Sequence, residues 1–191
     1  MRISGGGARG ISLLAPKGDA VRPATDALRH AVFSSLAARL ANTRFLDLFA
    51  GTGAYGLEAL SRGATGGTFI ESNHRAAACL RRNLSAVCKS LGRGEAGLTV
   101  LEIDALKAPL GAGDPPDLVF VDPPYEIIAG AAPVLFVRLG ELLSARPDAL
   151  VVFEMPGEMD LCPAGWTCVK RLGKGGRQPT ASFFRRNGQP T

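Results

Sequence analysis

The stretch "FLDLFAGTGAYG", Phe45 to Gly56, decides how this chain is read. It contains Gly51-Thr52-Gly53-Ala54-Tyr55-Gly56, a complete G-x-G-x-x-G. A glycine pattern this short recurs by chance, so its flanks must supply the meaning. Upstream, Phe45 to Ala50 is an apolar run broken by Asp47, the pattern of a buried parallel strand feeding a tight turn. Downstream, Tyr55 to Ser61 carries helix formers and is closed off by Gly63. Strand, glycine loop and helix together open a nucleotide-type α/β unit.

Working outward, a second apolar run, Thr68-Phe69-Ile70, ends in Glu71, twenty residues past Gly51. An acid there can accept hydrogen bonds from both hydroxyls of an adenosine ribose. NAD and S-adenosylmethionine both carry that ribose, so Glu71 alone does not separate them. Further strands are expected at Leu98 to Ile103, Leu118 to Val121 and Leu150 to Phe153. Helices are expected between them. One opens at Arg22-Pro23 with Leu28, Val32, Leu36 and Leu40 on one face, and one starts at an Asn73 cap with Ala77, Leu80, Leu84, Val87 and Leu91 facing the core. A third is expected over about 133–143. Two late segments, Thr167 to Leu172 and Ala181 to Arg185, read as a closing hairpin across "GKGGRQPT". Alternating strands and helices imply a parallel sheet covered on both faces, and the hairpin adds an antiparallel edge. In such sheets the ligand lies beyond the carboxyl ends of the strands, where Asp47, Glu71, Asp104 and Asp122 all fall.

At 191 residues and 46% hydrophobic, the chain suits one domain with a small appendage, which argues against a dehydrogenase needing a second, substrate-holding domain. No apolar run reaches membrane-spanning length, and the expectation is a soluble, cytoplasmic protein. Cys79, Cys88, Cys162 and Cys168 show no C-x-x-C spacing and read as reduced thiols on helix or strand positions; no metal site is expected. His30 and His74 form no motif and read as surface or helix-end residues. Charge is unevenly distributed along the chain. Residues 1–46 hold seven basic against two acidic residues, 47–164 hold nine against fifteen, and 165–191 hold six against none. Basic ends flanking an acidic core suggest a polyanionic partner such as nucleic acid.

The stretch "DLVFVDPPYE" adds the chemistry. Two prolines would terminate a strand by themselves, but a terminator needs neither Asp122 before them nor Tyr125 after. Pro123 and Pro124 lack backbone N–H donors, so the turn offers only carbonyl acceptors. Together with Asp122 these can hold an exocyclic amino group on a planar base. Tyr125 can stack on the base face, a contact worth roughly 1–3 kcal/mol.

The motifs "LDLFAGTGAYGLEALSRGA", "IESN", the "DA" at Asp104 and "DPPY" resemble, in order, those of class I S-adenosylmethionine-dependent methyltransferases acting on amino nitrogens. With "MRISGGGARG" and "RPATDALRHAVFSSL", the chain from Arg2 to about Pro156 is similar to the RsmD family, bacterial enzymes that methylate the N2 amino group of a guanine in 16S ribosomal RNA. Ile11, Ser12 and the "GKGGRQPTASFFRR" end depart from the family's pattern. The resemblance implies a Rossmann-like α/β fold with a mostly parallel seven-stranded sheet, an antiparallel C-terminal hairpin and a small N-terminal extension. Residues 1–22 would be that basic extension, in contact with RNA, and 23–191 the catalytic domain. The resemblance further implies that Asp47, Gly51 and Gly53 hold the methionine end of S-adenosylmethionine, Glu71 the ribose, and Asp104 and Ala105 the adenine. Asp122, Pro123, Pro124 and Tyr125 would act on the target amine. Thr25, Arg22 and Arg29 would lie on a segment closing over cofactor and RNA. Arg2, Arg9, Lys170, Arg171, Lys174 and Arg177 would grip phosphates of 16S RNA or the small ribosomal subunit, and a monomer is expected. Methylation of DNA adenine or another amine, a non-enzymatic RNA-binding assembly factor and a NAD-dependent oxidoreductase are the competing readings.

Overall fold

A computed structural model of the chain describes residues 1–16, 23–111, 113–173, 176 and 178–188. Its elements run α1 (Pro23–Ser35), β1 (Arg44–Leu48), α2 (Ala54–Ser61), β2 (Gly66–Ile70), α3 (His74–Ser90) and β3 (Leu98–Leu101). They continue with β4 (Leu118–Val121), α4 (Ile128–Leu142), β5 (Leu150–Pro156), β6 (Trp166–Leu172) and β7 (Pro179–Arg186). The strands form one seven-stranded sheet in the order β3-β2-β1-β4-β5-β7-β6. The first five in that order are parallel, and β7 lies antiparallel between β5 and β6, as the sequence pattern anticipates. Strand order reverses between β1 and β4, which places the ligand crevice there.

Two-residue alternation decides what each strand presents to each face. Phe45, Phe69, Phe120 and Val152 pack into the core beneath α1, α2 and α3. Their neighbours Leu46, Ile70, Val119 and Val151 pack against α4. The same parity carries Asp47, Glu71, Asp122 and Glu154 to the first face at the carboxyl ends of the strands. Aromatic contacts lock this core, with Phe45 and Phe69 edge-to-face at 5.0 Å and Tyr55 stacked on Phe120 at 5.3 Å.

The helices follow their predicted faces. Leu28, Val32, Leu36 and Leu40 are buried, although α1 ends at Ser35 and the chain tightens into a 3-10 turn at Ala37–Arg39. Asn73 caps α3, its Oδ1 accepting from the amides of Arg75 at 2.9 Å and Ala76 at 3.1 Å. The N-terminal ribbon lies outside the sheet, with Arg2 bridged to Ser12. It is nevertheless built into the main core through Ile3, Ala8 and Leu13. Buried Glu58 on α2 holds it, accepting from the Ser4 amide at 2.8 Å and the Ser4 hydroxyl at 2.7 Å. None of the described helices is long and apolar enough to cross a membrane.

Four expectations need correction. β1 stops at Leu48 because Phe49 turns into the left-handed region, φ 59°. β3 ends at Leu101, before Ile103. α4 begins at Ile128, so Pro133 lies inside it; the carbonyl of Ala129 that loses its helical donor belongs to an exposed residue. Cys162 belongs to the loop between β5 and β6 and is exposed, as is Cys168 on the edge strand.

Candidate active site

The glycine loop is shaped by close approach. Gly53 caps α2 at φ 85°, and a Cβ there would lie 2.2 Å from Leu80 Cδ1. At Gly56 a Cβ would meet the Phe69 ring at 2.3 Å, so the helix packs directly on the sheet. The loop's donors are held by the protein's own acids. Asp47 Oδ2 accepts from the Gly56 amide at 2.8 Å, and Glu71 Oε2 accepts from the Gly51 amide at 2.7 Å. Glu71 Oε1 also accepts from Asn73 at 2.6 Å, tying the loop to the start of α3.

A cleft of about 590 Å³ opens at the switch point between β1 and β4. Five acids line it, Asp47, Glu71, Asp122, Glu126 and Glu154, against one side-chain cation among the described residues, Arg29. Burial is the main force raising the Asp47 carboxyl to about 7; the nearby Glu71 raises it further, and the Gly56 amide opposes both. Tyr55 lines the wall and donates to Glu154 Oε2 at 2.6 Å. Burial first, then the charges of Glu154 and Asp122, push its phenol well above the usual range, so it remains a donor.

The cleft brings together Asp47, Gly51 and Glu71 with Asp122, Pro123, Pro124 and Tyr125, residues predicted from three separate motifs. Gly53 turns the same loop from behind, and its conformation serves packing. Asp104 and Ala105 are not in the cleft lining. Asp104, 42% exposed, caps its own turn by accepting from the Leu106 amide at 2.9 Å. That turn is clamped to α4 by Arg138, which donates to the carbonyls of Ala105 at 3.1 Å, Leu106 at 2.7 Å and Ala108.

Two of the predicted RNA contacts, the buried Arg29 and the exposed Arg171, are engaged by groups of the protein itself. Arg29, only 2% exposed, pairs with Asp26 at 2.9 Å, lies 3.8 Å from Glu58 and donates to the Arg2 carbonyl at 2.7 Å. Helical spacing in the "RPATDALRHAVFSSL" segment turns it inward beside Leu28, into the cleft wall. Arg171 donates to the carbonyls of Gly157 at 2.9 Å and Met159 at 2.7 Å and so fastens the loop after β5. Arg2, Arg9 and Lys170 are exposed, Lys170 donating to the Ser35 hydroxyl at 2.7 Å. Arg22, Lys174 and Arg177 lie outside the described residues, as does the side chain of Thr25.

Glu154 and Tyr55 are lining residues that the sequence analysis did not single out. The signal for Glu154 was present, since it is an acid closing the apolar run "LVVF", the pattern that selected Asp122. Tyr55 carried no such signal, because a tyrosine in a helix reads as core.

The charge of this cleft limits its ligand. A pyrophosphate would face five carboxylates, and the Gly51 and Gly56 amides that a phosphate would need are already bonded to Glu71 and Asp47. The acceptors of the cleft instead fit a ligand bearing positive charge and hydroxyl or amino donors.

The chain matches over residues 1–181 the model of the family described as Conserved hypothetical protein 95. It is 41% identical over 167 residues to ribosomal RNA small subunit methyltransferase D of Escherichia coli strain K12, covering 87% of this chain and 81% of the relative. It is 31% identical to the Haemophilus influenzae protein of the same name, covering 89% of this chain and 86% of that one. A solved structure from Escherichia coli described as a methyltransferase superposes with a TM-score of 0.76 at 33% identity, covering 99% of each chain.

Proposed function

The chain belongs to the Conserved hypothetical protein 95 family, that of ribosomal RNA small subunit methyltransferase D, and from that premise we propose that it is an S-adenosylmethionine-dependent methyltransferase acting on the N2 amino group of a guanine in 16S ribosomal RNA. The observation that carries this reading is the meeting of the Gly51 loop and Asp122-Pro123-Pro124-Tyr125 in one acid-lined cleft. A net-positive methyl donor suits that lining as a dinucleotide does not.

When bound, the donor supplies an electrophilic methyl group on a sulfonium whose leaving group is neutral. The work left to the protein is alignment and desolvation. Asp47 and the Gly51 loop hold the methionine end, with Asp47 facing its ammonium. Glu71 receives the ribose hydroxyls, and the adenine extends beyond the cleft lining toward the turn at Asp104 and Ala105. Thr25 lies on the segment that closes over both ligands.

The guanine N2 lone pair is delocalised into the ring and is a weak nucleophile. Acceptors at Asp122 and the Pro123 carbonyl favour the pyramidal nitrogen of the transition state, which is differential binding. The surplus proton of the methylated amine passes to the Asp122 carboxylate to which that amine is hydrogen-bonded. Tyr125, half-buried at the mouth, stacks on the base. The amino edge of a paired guanine is inside a helix, so the target must be unpaired or flipped out. Arg2, Arg9 and Lys170, exposed on the surface, grip phosphates and make affinity salt-dependent; Lys174 and Arg177 are assigned the same role on their charge alone. The protein acts as a monomer in the cytoplasm.

The test is transfer of labelled methyl from S-adenosylmethionine to small ribosomal subunits, naked 16S RNA and DNA from cells lacking this protein, followed by nucleoside analysis. N2-methylguanosine from a ribosomal substrate is the expected result. Label in DNA alone moves the reading to adenine methylation, and no label despite cofactor binding moves it to a binding factor.

A further inference from the structure

We infer that Glu154 is a second base-recognition residue, which accepts the N1–H of the target guanine while Asp122 accepts from its N2 amino group. This inference rests on the guanine-N2 reading above and deepens it to the choice of base.

The placement follows from register. Phe120 pairs with Val152 across β4 and β5. Two residues on, Asp122 and Glu154 stand level on neighbouring parallel strands, with side chains on the same face. Strands in a sheet lie about 4.8 Å apart, so two side chains at one level are immediate neighbours. Both line the cleft. Both also act on one group, the Tyr55 hydroxyl, which donates to Glu154 Oε2 at 2.6 Å and feels the charge of Asp122.

Two adjacent carboxylates match one purine edge. Guanine presents N1–H beside the N2 amino group, donor next to donor. Adenine presents its amino group beside the N1 lone pair, so a carboxylate level with Asp122 would face an acceptor and repel it. One acid selects an amine; two side by side select guanine.

Glu154 is 3% exposed, yet it lines the cleft, and low local dielectric strengthens a hydrogen bond made to it there. A carboxylate presents about four acceptor sites, so accepting from Tyr55 is compatible with accepting from a donor that arrives with the substrate.

The test uses the full-length protein and an RNA substrate carrying either guanine or 2-aminopurine at the nucleotide located by the labelling experiment. 2-Aminopurine keeps the N2 amino group but has a lone pair at N1. The wild-type protein should prefer guanine by about 10- to 100-fold, the range set by one charge-assisted hydrogen bond. Glu154→Gln, whose amide can either accept from or donate to N1, should lower the rate on guanine by about tenfold or more while bringing the two bases to within a few-fold of each other. Equal wild-type rates on the two bases would overturn the inference without any variant having to fold. So would a Glu154→Gln protein whose rates fall in the same proportion on both, the mark of a structural residue. Absence of N2-methylguanosine from every wild-type reaction is a separate result, and overturns the parent reading.

Discussion

The Glu71 carboxylate holds the Gly51 amide at 2.7 Å, and through its other oxygen it holds Asn73 at 2.6 Å. One strand-end acid thus fixes both the glycine loop and the start of α3. The glycine pattern therefore carries a different meaning here than in a phosphate cradle, because its first amide is already satisfied by an anion.

Glu71→Gln retains one oxygen for two amides, and its NH2 cannot accept. One of Gly51 and Asn73 loses its partner, which should destabilise the protein by about 1–3 kcal/mol. Affinity for S-adenosylmethionine should fall about tenfold as a ribose acceptor is lost. Denaturant unfolding and calorimetric titration would measure the two effects separately. Unchanged cofactor affinity would remove Glu71 from the ribose site.

Asp47 predicts an unusual pH dependence. Its folded pKa is raised from 3.8 to about 7, so between those values the folded protein holds a proton that the unfolded chain has lost. Its contribution to stability is complete below pH 3.8 and is lost as pH rises through about 7. The amount is on the order of 4 kcal/mol. Asp47→Asn keeps an acceptor for Gly56 without the charge. The cofactor-free variant should be more stable than the parent at pH 8 and more stable by a clearly smaller margin at pH 5, read as Tm at both pH values. The same variant should bind S-adenosylmethionine more weakly, since the ammonium loses its counter-charge. A matching loss of Tm at both pH values would contradict the assignment.

Asp122→Ala should reduce methyl transfer by about 10²-fold or more, while affinity for S-adenosylmethionine stays within a few-fold. Single-turnover rates and equilibrium binding on the same preparation make the comparison. Unchanged turnover would refute the assigned role.

Lys170 and Arg171 are adjacent in sequence but should behave oppositely. Arg171 fastens the loop after β5 through the Gly157 and Met159 carbonyls, so Arg171→Ala should cost about 1–3 kcal/mol of stability. Lys170 is exposed, and Lys170→Ala should leave stability within about 0.5 kcal/mol. It should reduce the salt slope of RNA binding by about one. Binding isotherms over a range of potassium chloride, beside thermal melts, would separate the two. A salt slope that falls only in the Arg171 variant would reverse the assignment.

Much of the fold was legible because its signals are local. The apolar runs ending in Asp47, Glu71 and Asp122 mark strands whose carboxyl ends face one crevice, and the Leu28, Val32 and Leu36 spacing marks a helix face without any knowledge of its partner. Boundaries were less legible. The left-handed turn at Phe49 and the helical start at Ile128, five residues before Pro133, depend on neighbouring elements rather than on the residues themselves. The β5 strand runs on to Pro156 because β7 arrives to pair with it.

By itself, the sequence determined the class of fold and the strand-end acids, and it singled out Asp122 to Tyr125 as the stretch to which we assign the chemistry, since all of these reside in periodicity and residue type over short spans. Tertiary structure alone decided which charges face the cleft. Arg29 and Arg171 read as surface cations, yet packing turns one into the cleft wall beside Glu58 and the other onto backbone carbonyls. Tyr55 and Glu154, ninety-nine residues apart, meet only because β5 lies beside β4 on the sheet that carries α2. A carboxylate's worth as an acceptor, an ion-pair partner or a proton holder is set by what surrounds it, and those surroundings are assembled from the whole chain.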